Sequence, residues 1–321
     1  MKKNNERYLV KIIKEICLQN NIKLKSLSFD WILVLNKNGV QKFVYGYNFD
    51  SNSAASQMIA NDKTALSDVL NLSNIQNIEH KLFINPKLSN YIGIDGNWSN
   101  ILSYFNNNDE DIICKPISGT GGNDVFHIKT INQLEEKVHY LFSKYRSIAL
   151  SPFINIKEEY RTIVVNNKIE LIYQKNIPHI IGDGKSSIID LLKSKYDDQS
   201  LLAEMIIGVN ENNLDYNLSS ILESGFIFKL GWQNNLGKGS IPELLDSNSP
   251  KAKKIIRLAI EAAKSIDIRF ASIDIVEDNN SKFFVLEVNS GVMTENFIEL
   301  LPEYYNQIKT IYEKAVINMF G

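Results

Sequence analysis

Glu287 and Asn289 sit two residues apart in FFVLEVN, a run of β-forming apolar residues that closes on Ser290-Gly291. Alternation along a strand points both polar side chains to one face. A buried, unpaired carboxylate is costly, so Glu287 calls for a partner or a metal ion. The preceding segment ASIDIV carries Asp274. If the two segments pair as antiparallel strands across the loop 277–282, two carboxylates and a carboxamide oxygen converge. Hard oxygen donors of this kind suit Mg²⁺, which keeps water or phosphate oxygens as its other ligands. A solvated strand edge is the plainer alternative. Leu286 and Val288, with Ile273 and Ile275, are expected on the opposite, apolar face. Phe283 and Val285 beside Glu287 favour the metal over an exposed edge.

Other segments carry charge where chemistry could use it. In IICKPISGTGGNDV, Lys115 ends an apolar strand and Ser118, Gly119, Gly121 and Gly122 follow in a loop. A fixed cation beside exposed backbone N–H groups suits a polyphosphate. The spacing matches neither the Walker loop nor the dinucleotide fingerprint. Taken alone, a tight hairpin with an exposed lysine accounts for it better. In SPFINIKEEYRTIVV, Glu159 and Arg161 lie at i and i+2 and share a strand face. They read equally as a ribose-binding carboxylate with an anion-holding guanidinium, or as a surface ion pair.

The elements that hold these residues follow from periodicity. Helices are expected over 7–19, 54–70, from Thr130 to about Tyr145, over 188–223, from Pro250, and over 302–318. Strands are expected at WILVL, FVYGY, IICKP, VFHI, IALSPFI, YRTIVV and KIELIYQ, with Asn166-Asn167 as a tight turn. A chain of 321 residues makes two or three lobes. A net charge of −2 gives no footprint for nucleic acid. Without an apolar run of about 20 residues no membrane span is expected, nor is a signal peptide, so the reading is a cytoplasmic protein. Cys17 and Cys114 read as buried thiols, and four scattered histidines without CxxC argue against zinc.

The order of these parts resembles the ATP-grasp superfamily of carboxylate–amine ligases. Lys-Pro and a glycine loop precede an E-Y-R strand. Then come IPHIIGDGKSSIIDLL, an N-L-G-K-G loop and D-I-V…L-E-V-N. The branch it looks most like contains the cyanophycin synthetase ligase domain and glutathione-forming ATP-grasp domains. The resemblance runs from about residue 50 to 291, and the GDGK-S-S segment is the most specific to that branch. The fold it implies is α/β (α+β), two α+β lobes gripping ATP behind an N-terminal pre-ATP-grasp region. The boundaries it implies are 1–75 for that region, 76–153 for the small lid lobe, and 154–321 for the large lobe with a helical insertion at about 186–225.

By the same resemblance, Lys63 and Lys115 contact the ATP phosphates and 118–122 closes over them. Ser151, Phe153 and Ile154 belong to the hinge that meets adenine, mainly through backbone groups. Glu159 binds ribose, and Lys175 is a further phosphate contact. Asp274, Glu287 and Asn289 carry magnesium, usually two ions, with manganese as a substitute. Arg161, Lys229 and Lys238 are candidates for holding the substrate carboxylate or the tetrahedral intermediate. Ser151 stands where the family often has an acid or amide. Trp232 and Gln233 stand near a position where the branch often has an arginine. EVNSGV replaces the commoner EVN-x-x-P-G. The implied reaction activates a carboxylate as an acyl phosphate and joins it to an amine of an amino acid or short peptide. Alternatives are a ligase that crosslinks a ribosomal peptide and a non-catalytic nucleotide-binding module. A homodimer is left open.

Overall fold

The structure, a computed structural model, describes residues 6–88, 98–119, 122–212, 215–230 and 236–321. Helix α1 (Tyr8–Gln19) buries Leu9, Val10, Ile12, Ile13, Ile16 and Cys17, the apolar face that its sequence spacing predicts. An antiparallel meander follows: β1 (Lys23–Leu27), β2 (Ile32–Lys37), β3 (Val40–Tyr45) and β4 (Asn48–Phe49). Asn38 and Gly39 both take positive φ, 51° and 83°, at the β2–β3 turn. Such a turn matches the twist of the flanking strands.

The single helix expected over 54–70 is two helices, α2 (Ala54–Asn61) and α3 (Lys63–Leu72). Asp62 between them is extended, and its carboxylate accepts the N–H groups of Thr64 and Ala65. A side chain that caps a new helix competes with continuation of the old one. The break places Lys63 at the first position of α3.

Next comes a four-stranded sheet with two helices. Its elements are β5 (Lys81–Ile84), α4 (Trp98–Asn107), β6 (Ile112–Pro116), β7 (Phe126–Ile128), α5 (Ile131–Lys144) and β8 (Ser147–Pro152), with strand order β5-β8-β6-β7. Thr130 caps α5 by accepting the Gln133 N–H. Phe83, Cys114, Ile148 and Leu150 pack on Ile101, Phe105, Leu134 and Val138 of the helices. The other face aligns Leu82, Ala149 and Lys115 across three strands.

Backbone contacts divide the chain into a larger unit, residues 1–172 with 245–321, and a smaller one, 173–244. Strands β9 (Ile156–Val165) and β10 (Lys168–Asn176) join through Asn166-Asn167, with φ of 47° and 61°. In the smaller unit, the end of β10 pairs with β13 (Ile241–Leu244), and β11 (His179–Ile181) pairs with β12 (Ile227–Lys229). Helices α6 (Ile188–Lys195) and α7 (Gln199–Asn212) lie between them in sequence. The helical material expected over 188–223 is thus two helices, and residues 215–223 are not helical. Asn217 and Ser220 spend their side chains on nearby backbone, at 2.9 Å to Ser219 N–H and 3.0 Å to Asn217 N–H. That local bonding disfavours a helix.

The larger unit's main sheet has the order β10-β9-β14-β15, with β14 (Phe270–Asp278) and β15 (Phe283–Asn289). Helix α8 (Pro250–Ser265) lays Ile255, Ala259, Ala262 and Ala263 onto Tyr160, Ile273, Ile275 and Val285. Beside that core Lys251 bonds the buried Glu277 at 3.0 Å and the Tyr160 hydroxyl at 2.9 Å. Helices α9 (Glu295–Leu300) and α10 (Tyr305–Asn318) close the chain. Glu295 accepts the Tyr8 and Leu9 amides at 2.8 and 3.1 Å. A carboxylate there meets the positive end of α1.

Alternation in β15 differs from the sequence expectation. Asp274 faces Glu287, yet the next partners are Ile275 and Val285, so Leu286 is an extra, bulged residue. Phe283, Val285 and Val288 all enter the core, while Phe284, Leu286, Glu287 and Asn289 are half-buried. Leu286 does not share the core face with Val288. The bulge shifts the pleat by one residue, which resolves how Val285 and Glu287 can share a strand without sharing a side.

Candidate functional site

Pairing of β14 with β15 sets Asp274 directly opposite Glu287 and Ser272 opposite Asn289. On the other side β14 pairs with β9, Asp274 opposite Arg161 and Val276 opposite Glu159. Opposed residues in an antiparallel pair share a face, so Glu159, Arg161, Asp274, Glu287 and Asn289 form one polar field. The hydrophobic cluster under α8 occupies the reverse face.

Within that field the Arg161 guanidinium clamps Asp274, with Nε on Oδ1 at 2.7 Å and Nη2 on Oδ2 at 2.6 Å. Asp274 is 1% exposed. Arg161 is thus in a cross-strand ion pair with a buried acid, and not in a surface pair. Asn289 Nδ2 donates to Glu287 Oε1 at 3.0 Å. Among the described residues no group of three or more His, Cys, Asp or Glu side chains could hold a metal ion. An ion here would rest on two carboxylates and the Asn289 carboxamide. This donor set is all hard oxygen and fits Mg²⁺. A carboxylate has about four lone-pair sites, and Arg161 takes two of those on Asp274.

Lys115 is only 7% exposed, in β6. Burial, then the nearby Lys63 ammonium, push its pKa down from 10.5 to about 7, with Glu287 opposing the shift. Lys63 and Glu287 are thus both electrostatic neighbours of Lys115, although the three lie on elements far apart in sequence. The Lys63 ammonium donates to the Gly119 carbonyl at 3.1 Å, and its backbone N–H to the Ile117 carbonyl at 2.9 Å. A cation at a helix N-terminus opposes the helix dipole, and Asp62 beside it offsets that cost.

Gly119 and Gly122 adopt φ of 147° and 73°, conformations that favour glycine. Ser118 is exposed beside them, and Gly121 lies outside the described residues. Ser151 is 1% exposed, opposite Ile113. Phe153 stacks on His127 with centroids 3.9 Å apart. Its N–H already donates to the Asp111 carbonyl at 3.0 Å, so the Phe153 amide is not a spare donor. Ile154 is half-buried beside it, and Glu159 is 5% exposed.

Three named lysines belong to the smaller unit. Lys175 is buried in β10 opposite Pro242. Lys229 ends β12, exposed and opposite His179. Lys238 ends a short 3₁₀ turn, and its side chain, like Trp232 and Gln233, lies outside the described residues.

Sequence reading missed His80, in the segment before β5. It is 3% exposed, and its Nε2 has no hydrogen-bond partner. Burial, then Lys115 and Lys63, hold its pKa well below the ordinary 6.5. The unfolded chain therefore binds a proton below pH 6.5 that the folded chain refuses, so stability is lost as pH drops below that value. Urea midpoints measured from pH 7 to 5 should show this slope in wild type and a shallower one in His80→Leu. No short motif signals His80; its role depends on lysines from two other elements.

No protein-family model matches the chain. Cyanophycin synthetase from Synechocystis sp. is 28% identical over 204 residues, covering 57% of this chain and 22% of the relative. The glutathione biosynthesis bifunctional protein GshAB of Clostridium perfringens is 24% identical over 255 residues, 75% of this chain and 31% of the relative. The chain thus spans less than a third of these curated relatives. By fold, it is similar to a bifunctional glutathione synthetase from Pasteurella multocida, with TM-score 0.58, 15% identity, and coverage of 96% of this chain and 44% of the other. It is also similar to a D-alanine–D-alanine ligase from Bacillus anthracis, with TM-score 0.55, 13% identity, and coverage of 84% and 71%.

Proposed function

Because the chain has the fold of the ATP-grasp ligases, we propose that it is an ATP- and Mg²⁺-dependent carboxylate–amine ligase releasing ADP and phosphate. The observation that carries the reading is the buried Lys115, with Lys63 (bonded to the loop that follows Lys115) and Glu287 as its charged neighbours, and with Asp274 across from and Asn289 beside that glutamate. Two cations, one of them buried, opposite a hard-oxygen set match the needs of a triphosphate.

Lys63 and Lys115 bind the phosphates and offset the charge that spreads over the transferring phosphoryl oxygens. A bound triphosphate favours the charged form of Lys115, reversing the effect of burial. Magnesium, held by Asp274, Glu287 and Asn289, supplies further charge neutralisation. Arg161 keeps Asp274 in place and lowers the negative charge of the set. The loop 118–122 covers the phosphates and keeps water from the acyl phosphate. Ser151, Phe153 and Ile154 line the base subsite and Glu159 meets the ribose.

The relatives are named for cyanophycin, glutathione and D-alanine–D-alanine, which supports an amino acid or short peptide as substrate. No helix among the described residues is long and apolar enough to cross a membrane, and a cytoplasmic location belongs to this proposal. Its test is an ATP- and Mg²⁺-dependent phosphate-release screen over amino acids and short peptides. Glu287→Gln removes a charge while keeping shape, so turnover should fall at least about 100-fold with an unchanged melting temperature. Full activity in this variant would remove the metal assignment.

A further inference from the structure

The first eight residues of α8 carry Lys251, Lys253, Lys254 and Arg257 and no acid. Lys251 is neutralised by Glu158 and Glu277. Lys253 and Lys254 have no carboxylate within ion-pair reach among the described residues. Arg257 has Glu261, one turn on and 3.7 Å away, with both side chains well exposed. A pair of that kind contributes little. Lys253 and Arg257 are themselves one turn apart, and like charges so placed destabilise a helix.

These cations border an open cleft of about 560 Å³ between α8 and the turn that joins β14 to β15. The turn adds Lys282, the segment before β5 adds Gln76, and the buried Phe283 lies at the base. No carboxylate lines the cleft among the described residues. The Lys254 ammonium sits 5.9 Å from the centroid of the Phe283 ring. Both loop walls are held in place. Asp278 accepts the Asn280 and Lys282 amides at 2.9 and 2.8 Å, and the Gln76 carbonyl accepts the Val285 N–H at 3.0 Å. All of these residues belong to the larger unit. Phe283 shares β15 with Glu287 but enters the core under α8, so the cleft and the polar field lie on opposite faces of the sheet.

We propose that this cleft is a second binding site, for an oligophosphate: inorganic triphosphate or the phosphate arm of a nucleotide. A face that only keeps a helix in solution carries both signs interspersed, whereas this one gathers a single sign around a concavity. Three lysines supply point charges and Arg257 a planar fork, a set that suits phosphate oxygens. A bound polyanion would offset the repulsion among the four. The cleft has the size of a small-molecule site, and a net charge of −2 gives nucleic acid no wider footprint. The inference does not rest on the ligase reading, because none of these residues belongs to the polar field.

The test is calorimetric titration with inorganic triphosphate, free of metal, at about 0.15 M salt, where exposed charges are screened beyond about 8 Å. Lys115→Met, whose nucleotide site is crippled, should still bind one triphosphate. Adding Lys253→Gln and Arg257→Gln to that protein should weaken the binding at least about 10-fold, with no loss of melting temperature. The same two substitutions in the wild-type background should lower the triphosphate bound by one equivalent, a readout that serves if Lys115→Met does not fold. ATP that displaces triphosphate from Lys115→Met assigns the site to phosphate arms in general, and ATP that does not assigns it to the inorganic anion. Absence of binding to folded Lys115→Met, an affinity unchanged by the two glutamine substitutions, or hexaglutamate bound at these residues where triphosphate is not would overturn the inference.

Discussion

Replacing Lys115 with methionine should make the nucleotide-free protein more stable while crippling its nucleotide site. The wild-type ammonium sits in β6 with 7% exposure and a pKa pushed to about 7, chiefly by burial. At 1.36 kcal/mol per unit, holding this group in the fold costs on the order of 2 to 4 kcal/mol at neutral pH. Methionine keeps the length and apolar stem without the charge. Its melting temperature should rise by several degrees, since about 2–4 °C accompanies each kcal/mol in a chain of this order of size.

The pH dependence has a definite sign. Between pH 7 and the ordinary value of 10.5 the unfolded chain holds more protons at this site than the folded one. Wild type therefore gains stability as pH rises, and the gap to the variant closes toward pH 10.5. ATP affinity should fall by about 10- to 100-fold, the loss expected for a charged hydrogen bond to phosphate. A variant that is less stable at pH 7, or that binds ATP normally, would contradict the account of Lys115 as a strained cation held for a polyanion.

The second large effect is expected at Arg161. Its two hydrogen bonds hold an aspartate that is 1% exposed. Arg161→Met strips those bonds while the carboxylate stays in the sheet. Breaking a buried pair from one side costs about 3–5 kcal/mol. Changing both partners, Arg161→Met with Asp274→Leu, should recover most of that loss, because two matched apolar groups leave no buried charge. Denaturant midpoints for the two single variants and the double variant measure the coupling directly. A coupling below about 1 kcal/mol would mean that the pair behaves like an exposed one.

Much of the site's ingredient list was legible in the sequence because it lies in strands with a clear period. Asp274, Glu287 and Asn289 meet on one face, as their spacing predicts, and the order of motifs pointed to a fold that the solved ligases share. Three things were not legible. The bulge at Leu286 follows from the pairing of β15 with β14, and no local pattern announces it. The helix break at Asp62 was masked because the residues on both sides favour a helix, and only the capping carboxylate decides against continuity. The charge state of Lys115 and His80 comes from burial and from charged groups on elements distant in sequence, Lys63 among them for both. Periodicity reports which face a residue takes; it carries no information on what stands opposite.

The extra residue in β15 has a consequence for how this stretch of chain can change over time. Deleting Leu286 would join Val285 directly to Glu287 and restore strict two-residue spacing, with Val285 and Val288 still under α8 and Glu287 and Asn289 still in the polar field. Deleting a residue elsewhere in the strand would remove a side chain from core or site or turn its neighbours to the wrong face. A codon-length deletion is thus absorbed at the bulge, whereas elsewhere in β15 it would cost core and site together.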